Sequence, residues 1–183
     1  MITENLPLNY AKLFSFDPFI DSRGSFRRLL CRNELENIGL QKEIVQVNHS
    51  ITQKKGTVRG MHFQHPPHSE VKLIRCIRGS VYDVIVDIRK GSPTFLKWCS
   101  AFLSLENNKG IFIPEGFAHG FQTLEDNTEL IYFHTELYNK KSEGALNYSD
   151  PVLNITFPLP VTGVSDRDKS HKLIDPSFSG LVV

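Results

Sequence analysis

Two short stretches hold most of the residues able to move a proton or bind an anion. The first is Lys55-Gly56-Thr57-Val58-Arg59-Gly60-Met61-His62-Phe63-Gln64, followed by Lys72, Arg75, Asp83 and Asp87; the second is Ile113-Pro114-Glu115-Gly116-Phe117-Ala118-His119-Gly120-Phe121-Gln122. An imidazole with an ordinary pKa of about 6.5 suits proton abstraction near neutrality. A guanidinium fork suits phosphate, and an ammonium is a compact point charge. A glycine-flanked histidine on an apolar strand is more often a hydrogen-bonded core residue than a catalyst. Arg59 and Gln64 on the same stretch, with Lys72 nearby, shift that balance. Burying so many polar groups is costly unless they are paired or line a solvated cleft.

The same histidines admit a metal reading. Small β-barrels that hold a metal usually present a His-x-His pair, then a Glu and later a third His. Two residues after His62 stands Gln64, and His65 would point to the opposite face of a continuous strand. Glu70 and His119 remain as partners of uncertain facing, a weak donor set. No metal site is expected.

These residues need a scaffold, and glycine and proline punctuate the chain in the rhythm of an all-β sandwich or barrel. Gly79, Gly91-Ser92-Pro93, Gly110, Pro114, Gly116 and Gly120 separate short apolar runs. The clearest strand is Val81 to Ile88: Tyr82, Val84, Val86 and Ile88 share one parity, and Val81, Asp83, Ile85 and Asp87 the other. Leu130, Tyr132 and His134 alternate with Ile131 and Phe133 in the same way. Such polar parities mark either a wet face or a pocket wall. Asn33 to Ile38 reads as a short helix with Glu34 near its start and Gly39 as its stop. One domain over 1–183 is expected. From about residue 158, with Pro158, Pro160, Gly163, Pro176 and Gly180, irregular chain either wraps the body or forms a mobile tail.

Composition narrows the function class. The 183 residues are 40% hydrophobic and 22% charged, with 21 Lys and Arg against 20 Asp and Glu, a net +1. That balance argues against a polyanion binder, so no nucleic-acid partner is expected. No apolar run exceeds Leu130 to Phe133, and Met1 to Leu13 lacks a basic stretch leading into an apolar one. Neither a membrane span nor a secretory leader is expected. Cys31, Cys76 and Cys99 read as reduced thiols of a cytoplasmic protein.

An ordered set of motifs then carries a resemblance. It runs through Phe16-Asp17, Asp21-Ser22-Arg23-Gly24-Ser25-Phe26, Gln46-Val47-Asn48, Lys55 to Gln64, Glu70-Val71-Lys72-Leu73 and Asp83 to Arg89. It continues with Gly91-Ser92-Pro93-Thr94-Phe95, Ile113 to Gln122, Tyr132, Tyr138 and Ser165-Asp166-Arg167-Asp168. In order and spacing this resembles the dTDP-4-dehydrorhamnose 3,5-epimerase family from about residue 14 to 170. The resemblance implies a cupin-type jelly roll with a few short helices. It also implies a cofactor-free, metal-free epimerase acting on a nucleotide-linked 4-keto-6-deoxy sugar, and a homodimer formed through a sheet extended across subunits.

Roles follow from the same resemblance. His62 is the base and Asp168 the acceptor that fixes its tautomer; Lys72 is the cation at the C4 oxygen, and Tyr132 the acid on the opposite side. Arg23, Phe26, Gln46, Asn48 and Arg59 would lie near base and diphosphate, with Tyr138 packed nearby. His119 and Asp83 would support the sugar pocket. One position departs from the family pattern: two residues after Phe26, where Glu is usual, stands Arg28. In a ligand-facing loop it would reverse the local charge, which implies an added phosphate contact, an altered base preference or a branch acting on a different nucleotide sugar. With Arg23, Arg27, Arg59 and Lys72 it implies a strongly positive site beneath the near-neutral average. The alternatives are a C3-only or C5-only epimerase on a differently linked sugar, a related ketoisomerase, and a non-catalytic nucleotide-sugar-binding cupin.

Overall fold

A computed structural model describes residues 1–183. Alternating apolar residues bounded by turns give thirteen strands, eleven of them in two antiparallel sheets. The larger sheet has the order β1 (Ile2–Asn5), β2 (Lys12–Ser15), β10 (Lys109–Ile113), β7 (Lys72–Arg78), β12 (Thr128–His134), β5 (Gln46–Thr52). The smaller has the order β13 (Glu143–Ala145), β6 (Val58–Gln64), β11 (Phe117–Thr123), β8 (Ser80–Asp87), β9 (Trp98–Ser104). A separate hairpin pairs β3 (Phe19–Asp21) with β4 (Gly24–Phe26). The all-β sandwich expected from the sequence is the observed architecture.

Strand parity assigns each side chain to a layer. Between the sheets lie Val81 and Ile85 of β8, Ile74 and Cys76 of β7, Ile111 and Ile113 of β10, and Leu130 of β12. The other parity of the smaller sheet, Met61, Phe63, Val84, Val86 and Ala118, packs under the C-terminal chain through Leu146, Leu153 and Leu181. Val58 N–H bonds to Gly163 O at 2.8 Å, and Leu181 N–H to Ile88 O at 2.7 Å, so this segment wraps the sandwich rather than trailing from it. The Val81–Ile88 reading is met by β8, displaced by one residue at each end.

The outer face of the larger sheet, with Phe14, Leu73, Phe112 and Phe133, is covered by α1 (Arg32–Glu36) and the chain after it. A helix of five residues has no independent stability in water. It forms because Leu35 is fully buried there beside Ile38 and Leu40. Its chain turns away at Gly39, whose φ of 110° suits glycine. Cys31, Cys76 and Cys99 are unpaired thiols, and burial pushes Cys76 up to about 12 and Cys99 up to about 11. No helix is long and apolar enough to cross a membrane.

Candidate active site

A cleft of about 300 Å³ opens between the sheets, and its two walls carry different chemistry. On the smaller sheet, His62 of β6 stands directly opposite His119 of β11, which puts both imidazoles on the cleft face. Phe121 pairs with Arg59, so β6 spends one residue more than β11 between these two pairs. This bulge brings Arg59 and His62, three residues apart, onto one face; plain alternation would oppose them. Glycine makes it possible. A Cβ on Gly60 would lie 2.5 Å from Gly120 Cα, and one on Gly120 would lie 2.5 Å from Met61 Sδ.

His62 is half-buried, and its Nε2 lies 2.7 Å from Asp168 Oδ1. Asp168 sits in the four-residue α2 (Asp166–Lys169), where its backbone N–H is capped by Ser165 Oγ at 3.0 Å. Its Oδ2 accepts the Gly60 N–H at 3.3 Å, tying the dyad to the bulge. Burial pushes this carboxyl upward, but the hydrogen bond and charge of His62 outweigh it, and Asp168 is held below the usual aspartate range. An ionised Asp168 keeps the proton on His62 Nε2 and leaves Nδ1 as a bare base. Behind His119, the fully buried Asp83 approaches His119 Nε2 at 2.8 Å. Burial raises the Asp83 carboxyl against the opposing pull of His119 and Lys72.

The opposite wall belongs to the larger sheet. Tyr132 of β12 pairs with Asn48 of β5, His134 with Gln46, and His134 also with Lys72 of β7, so these side chains share the inner face. The Tyr132 hydroxyl lies 3.1 Å from Ser50 Oγ, and burial pushes the phenol well above its ordinary range. It therefore holds its proton at neutral pH. The buried Lys72 ammonium donates to His62 O at 3.2 Å and lies 3.1 Å from Glu70 Oε1. A base on one sheet, a protonated phenol on the other and an ammonium between them can remove a proton from one face of a carbon acid and return one to the other.

A family model described as dTDP-4-dehydrorhamnose 3,5-epimerase matches residues 5–175. A dTDP-4-dehydrorhamnose 3,5-epimerase from Shigella flexneri is 42% identical over 167 residues, 89% of this chain and 92% of its own. The chain belongs to the dTDP-4-dehydrorhamnose 3,5-epimerase family. Among solved structures, the dTDP-6-deoxy-D-glucose-3,5-epimerase RmlC of Legionella pneumophila, in complex with dTDP-4-keto-L-rhamnose, is similar with a TM-score of 0.92. It is 35% identical, the match covering 100% of this chain and 98% of that one. ChmJ, a 3'-monoepimerase from Streptomyces bikiniensis in complex with dTDP-quinovose, is 28% identical with a TM-score of 0.85, covering 92% and 85%. The sandwich is this family's cupin-type jelly roll.

Against the family's pattern, the cleft of one chain gathers His62, Lys72, Tyr132, His119, Asn48, Arg59 and Tyr138, and Gln46 lines the depression adjoining it. Arg59 Nε donates to Thr52 Oγ1 at 3.0 Å. Tyr138 N–H donates to Gln46 Oε1 at 3.0 Å. Three expected residues lie elsewhere. Arg23 and Phe26 sit on the exposed β3–β4 hairpin, where Arg23 closes on Asp21 at 2.6 Å. Arg28 turns its guanidinium to Glu34 at 2.7 Å, while its carbonyl is held by the buried Arg75 at 3.2 Å. Of the five basic residues expected at the site, Arg59 and Lys72 line the cleft of one chain, Lys72 paired there with Glu70, while Glu143 beside them is engaged by Arg167.

The metal reading also changes. Glu70 and His119 are engaged with Lys72 and Asp83, and the trio whose ligand atoms fall within 4.8 Å of one another is His62, Asp168 and His171. The sequence patterns do not mark His171, nor Ser50 and His134 as cleft residues. The shared parity of Tyr132 and His134 was the available signal for the last of these.

Proposed function

We propose that this protein is a metal-free, cofactor-free 3,5-epimerase of a dTDP-linked 4-keto-6-deoxy sugar in rhamnose-type deoxysugar synthesis, working in the cytoplasm as a homodimer. One observation carries the reading: His62, backed by Asp168, and the protonated Tyr132 stand on different sheets facing one cleft. The ketone at C4 acidifies the hydrogens on C3 and C5. His62 Nδ1 removes one of them, and Asp168 stabilises the imidazolium that forms, as the carboxylate does in a serine-protease triad. The Lys72 ammonium meets the growing enolate oxygen, a contribution of roughly 3–4 kcal/mol for a donor of this class. Tyr132 returns a proton from the opposite wall and inverts the centre.

Asn48 and Gln46 offer amide edges to a pyrimidine, and Arg59 offers a fork to the diphosphate. Arg23 and Phe26 would reach a nucleotide only in another chain's cleft. The hairpin that carries them is built for a partner: Phe19, Ile20 and Phe26 are 73%, 77% and 72% exposed. β5 also ends its sheet with an unpaired edge and exposed Val47 and Ile51. Mixing inactive Arg23→Ala and His62→Asn proteins should restore activity if the hairpin serves a partner's cleft. Similarity to ChmJ keeps a one-carbon reaction as the second reading.

Incubation with dTDP-4-keto-6-deoxyglucose in deuterated water separates the readings. Deuterium at both C3 and C5 without added metal supports the proposal, and uptake at one carbon supports the monoepimerase. Tight binding with no exchange would sink the enzymatic assignment.

A further inference from the structure

Besides the His62–Asp168 and His119–Asp83 pairs, the cleft holds a third carboxylate–imidazole pair that the proton chemistry leaves unused. Glu70 Oε2 lies 2.7 Å from His134 Nδ1, and Glu70 Oε1 lies 3.1 Å from the Lys72 ammonium. The three side chains are only 9–11% exposed. On its other side, His134 Nε2 is 3.2 Å from Asn48 Nδ2. Asn48 Oδ1 in turn accepts from Gln46 Nε2 at 3.3 Å, and Gln46 Oε1 accepts the Tyr138 N–H.

Donor and acceptor types give this chain a direction. An amide nitrogen can only donate, so His134 Nε2 accepts from Asn48 and the ring proton sits on Nδ1, facing Glu70. Burial pushes the Glu70 carboxyl upward, but His134 and Lys72 outweigh it and hold it below the usual glutamate range. Glu70 is therefore an anion between two donors. Lys72 has three N–H groups. Glu70 and the His62 carbonyl take two, leaving one for the cleft. A lysine stem with four rotatable carbons would otherwise leave its charge unplaced.

Buried ion pairs are weak contributors to stability, and apolar replacements are often neutral or stabilising. A buried Lys–Glu–His set in a cleft wall thus calls for a role other than holding the fold. We propose that Glu70 and His134 are positioning residues that aim the third Lys72 N–H at the C4 oxygen and couple that aim to the nucleotide-side amides of Asn48 and Gln46. This rests on the reading of Lys72 as the donor to that oxygen. Occupancy of the Asn48 amide by a nucleotide then steadies His134, Glu70 and the ammonium together. Binding energy from a remote part of the substrate reaches the reacting centre by this route.

The test is a double-mutant cycle on kcat and KM with dTDP-4-keto-6-deoxyglucose. Glu70→Gln should lower kcat about 10- to 100-fold, the scale of a misplaced catalytic group, with KM nearly unchanged. In a Lys72→Met background it should lower kcat no further. His134→Phe keeps a ring against Tyr132, stacked at 6.2 Å, and loses both hydrogen bonds. It should show a smaller fall that again vanishes without Lys72, and it serves if Glu70→Gln folds poorly. Equal losses in both backgrounds, or an unchanged kcat in the single variants, would overturn the inference while Lys72 keeps its role. A Lys72→Met enzyme with full kcat would overturn the reading of Lys72 and the inference with it.

Discussion

Asp168 works through three contacts: Oδ1 on His62, Oδ2 on Gly60 N–H, and a backbone N–H capped by Ser165. Asp168→Asn keeps the shape but can donate to His62 Nε2, favouring the tautomer whose proton sits on Nδ1, where the base is needed. The expected outcome is a fall in kcat of about 10²- to 10⁴-fold with a small change in thermal midpoint, checked by steady-state rates and melting on one preparation. Tyr132 is held above its ordinary range by burial, so it stays an acid as pH rises. Any fall in kcat at about pH 8–10 should persist in Ser50→Ala and should not be the titration of Tyr132. His62 and Lys72 were legible as chemistry because charged and imidazole groups stand out against apolar neighbours. Their partners were not equally legible: Asp168 follows His62 by 106 residues and was reached only through the family's motif. Glu70 and His134 needed the β7–β12 pairing to be seen as a pair.

At the scale of elements, alternation in β8 and β12 sorted their side chains by face, since period-two patterning is a local property of the chain, but left open whether the polar face was wet or a pocket wall. It sent Asp83 and Tyr132 toward the cleft. Asp87, sharing the Asp83 parity, instead pairs with Arg89 at 2.7 Å away from the cleft. Alternation fails at β6, where the bulge at Gly60 and Met61 reverses the phase between Arg59 and His62. Nothing in local periodicity announces a bulge; only the glycines at 60 and 120 hint at one. Gly60→Ala forces a Cβ against the Gly120 backbone at a φ of 118°. It should destabilise by more than ~1 kcal/mol and cost activity disproportionately, because His62 and Arg59 lose their common facing. Chemical denaturation and kcat measured together check this. α1 was legible from Glu34 and Gly39, although its real determinant is Leu35. Leu35→Ala should cost ~2–5 kcal/mol while kcat of the folded fraction is unchanged.

For the whole molecule, the net +1 is an average over a cleft that is itself nearly balanced, with arginines of the resemblance displaced to a hairpin and an outer loop. The sequence patterns could not place that hairpin, because which chain it serves is a property of assembly. Stability toward acid belongs to this scale too. Burial would raise the Asp87 carboxyl, but bonds from Arg89, Ser92 and Thr94 hold it down to about 2, against an ordinary 3.8. A folded pKa below the unfolded one stabilises above the unfolded value and is lost as pH falls through 3.8 toward 2. The contribution is ~2 kcal/mol. Urea midpoints should hold above about pH 5 and drop below about pH 4, and Asp87→Asn should flatten that drop.

Placing base and acid on opposite sheets makes proton removal and inversion separable. The most direct measurement follows deuterium at C3 and C5 of dTDP-4-keto-6-deoxyglucose by NMR, alongside product configuration, for Tyr132→Phe and His62→Asn. Tyr132→Phe should still exchange hydrogen with solvent from the His62 face while yielding little inverted sugar, and His62→Asn should do neither. A Tyr132→Phe enzyme that inverts at the wild-type rate, or a His62→Asn enzyme that still exchanges, would contradict the assignment of the two walls.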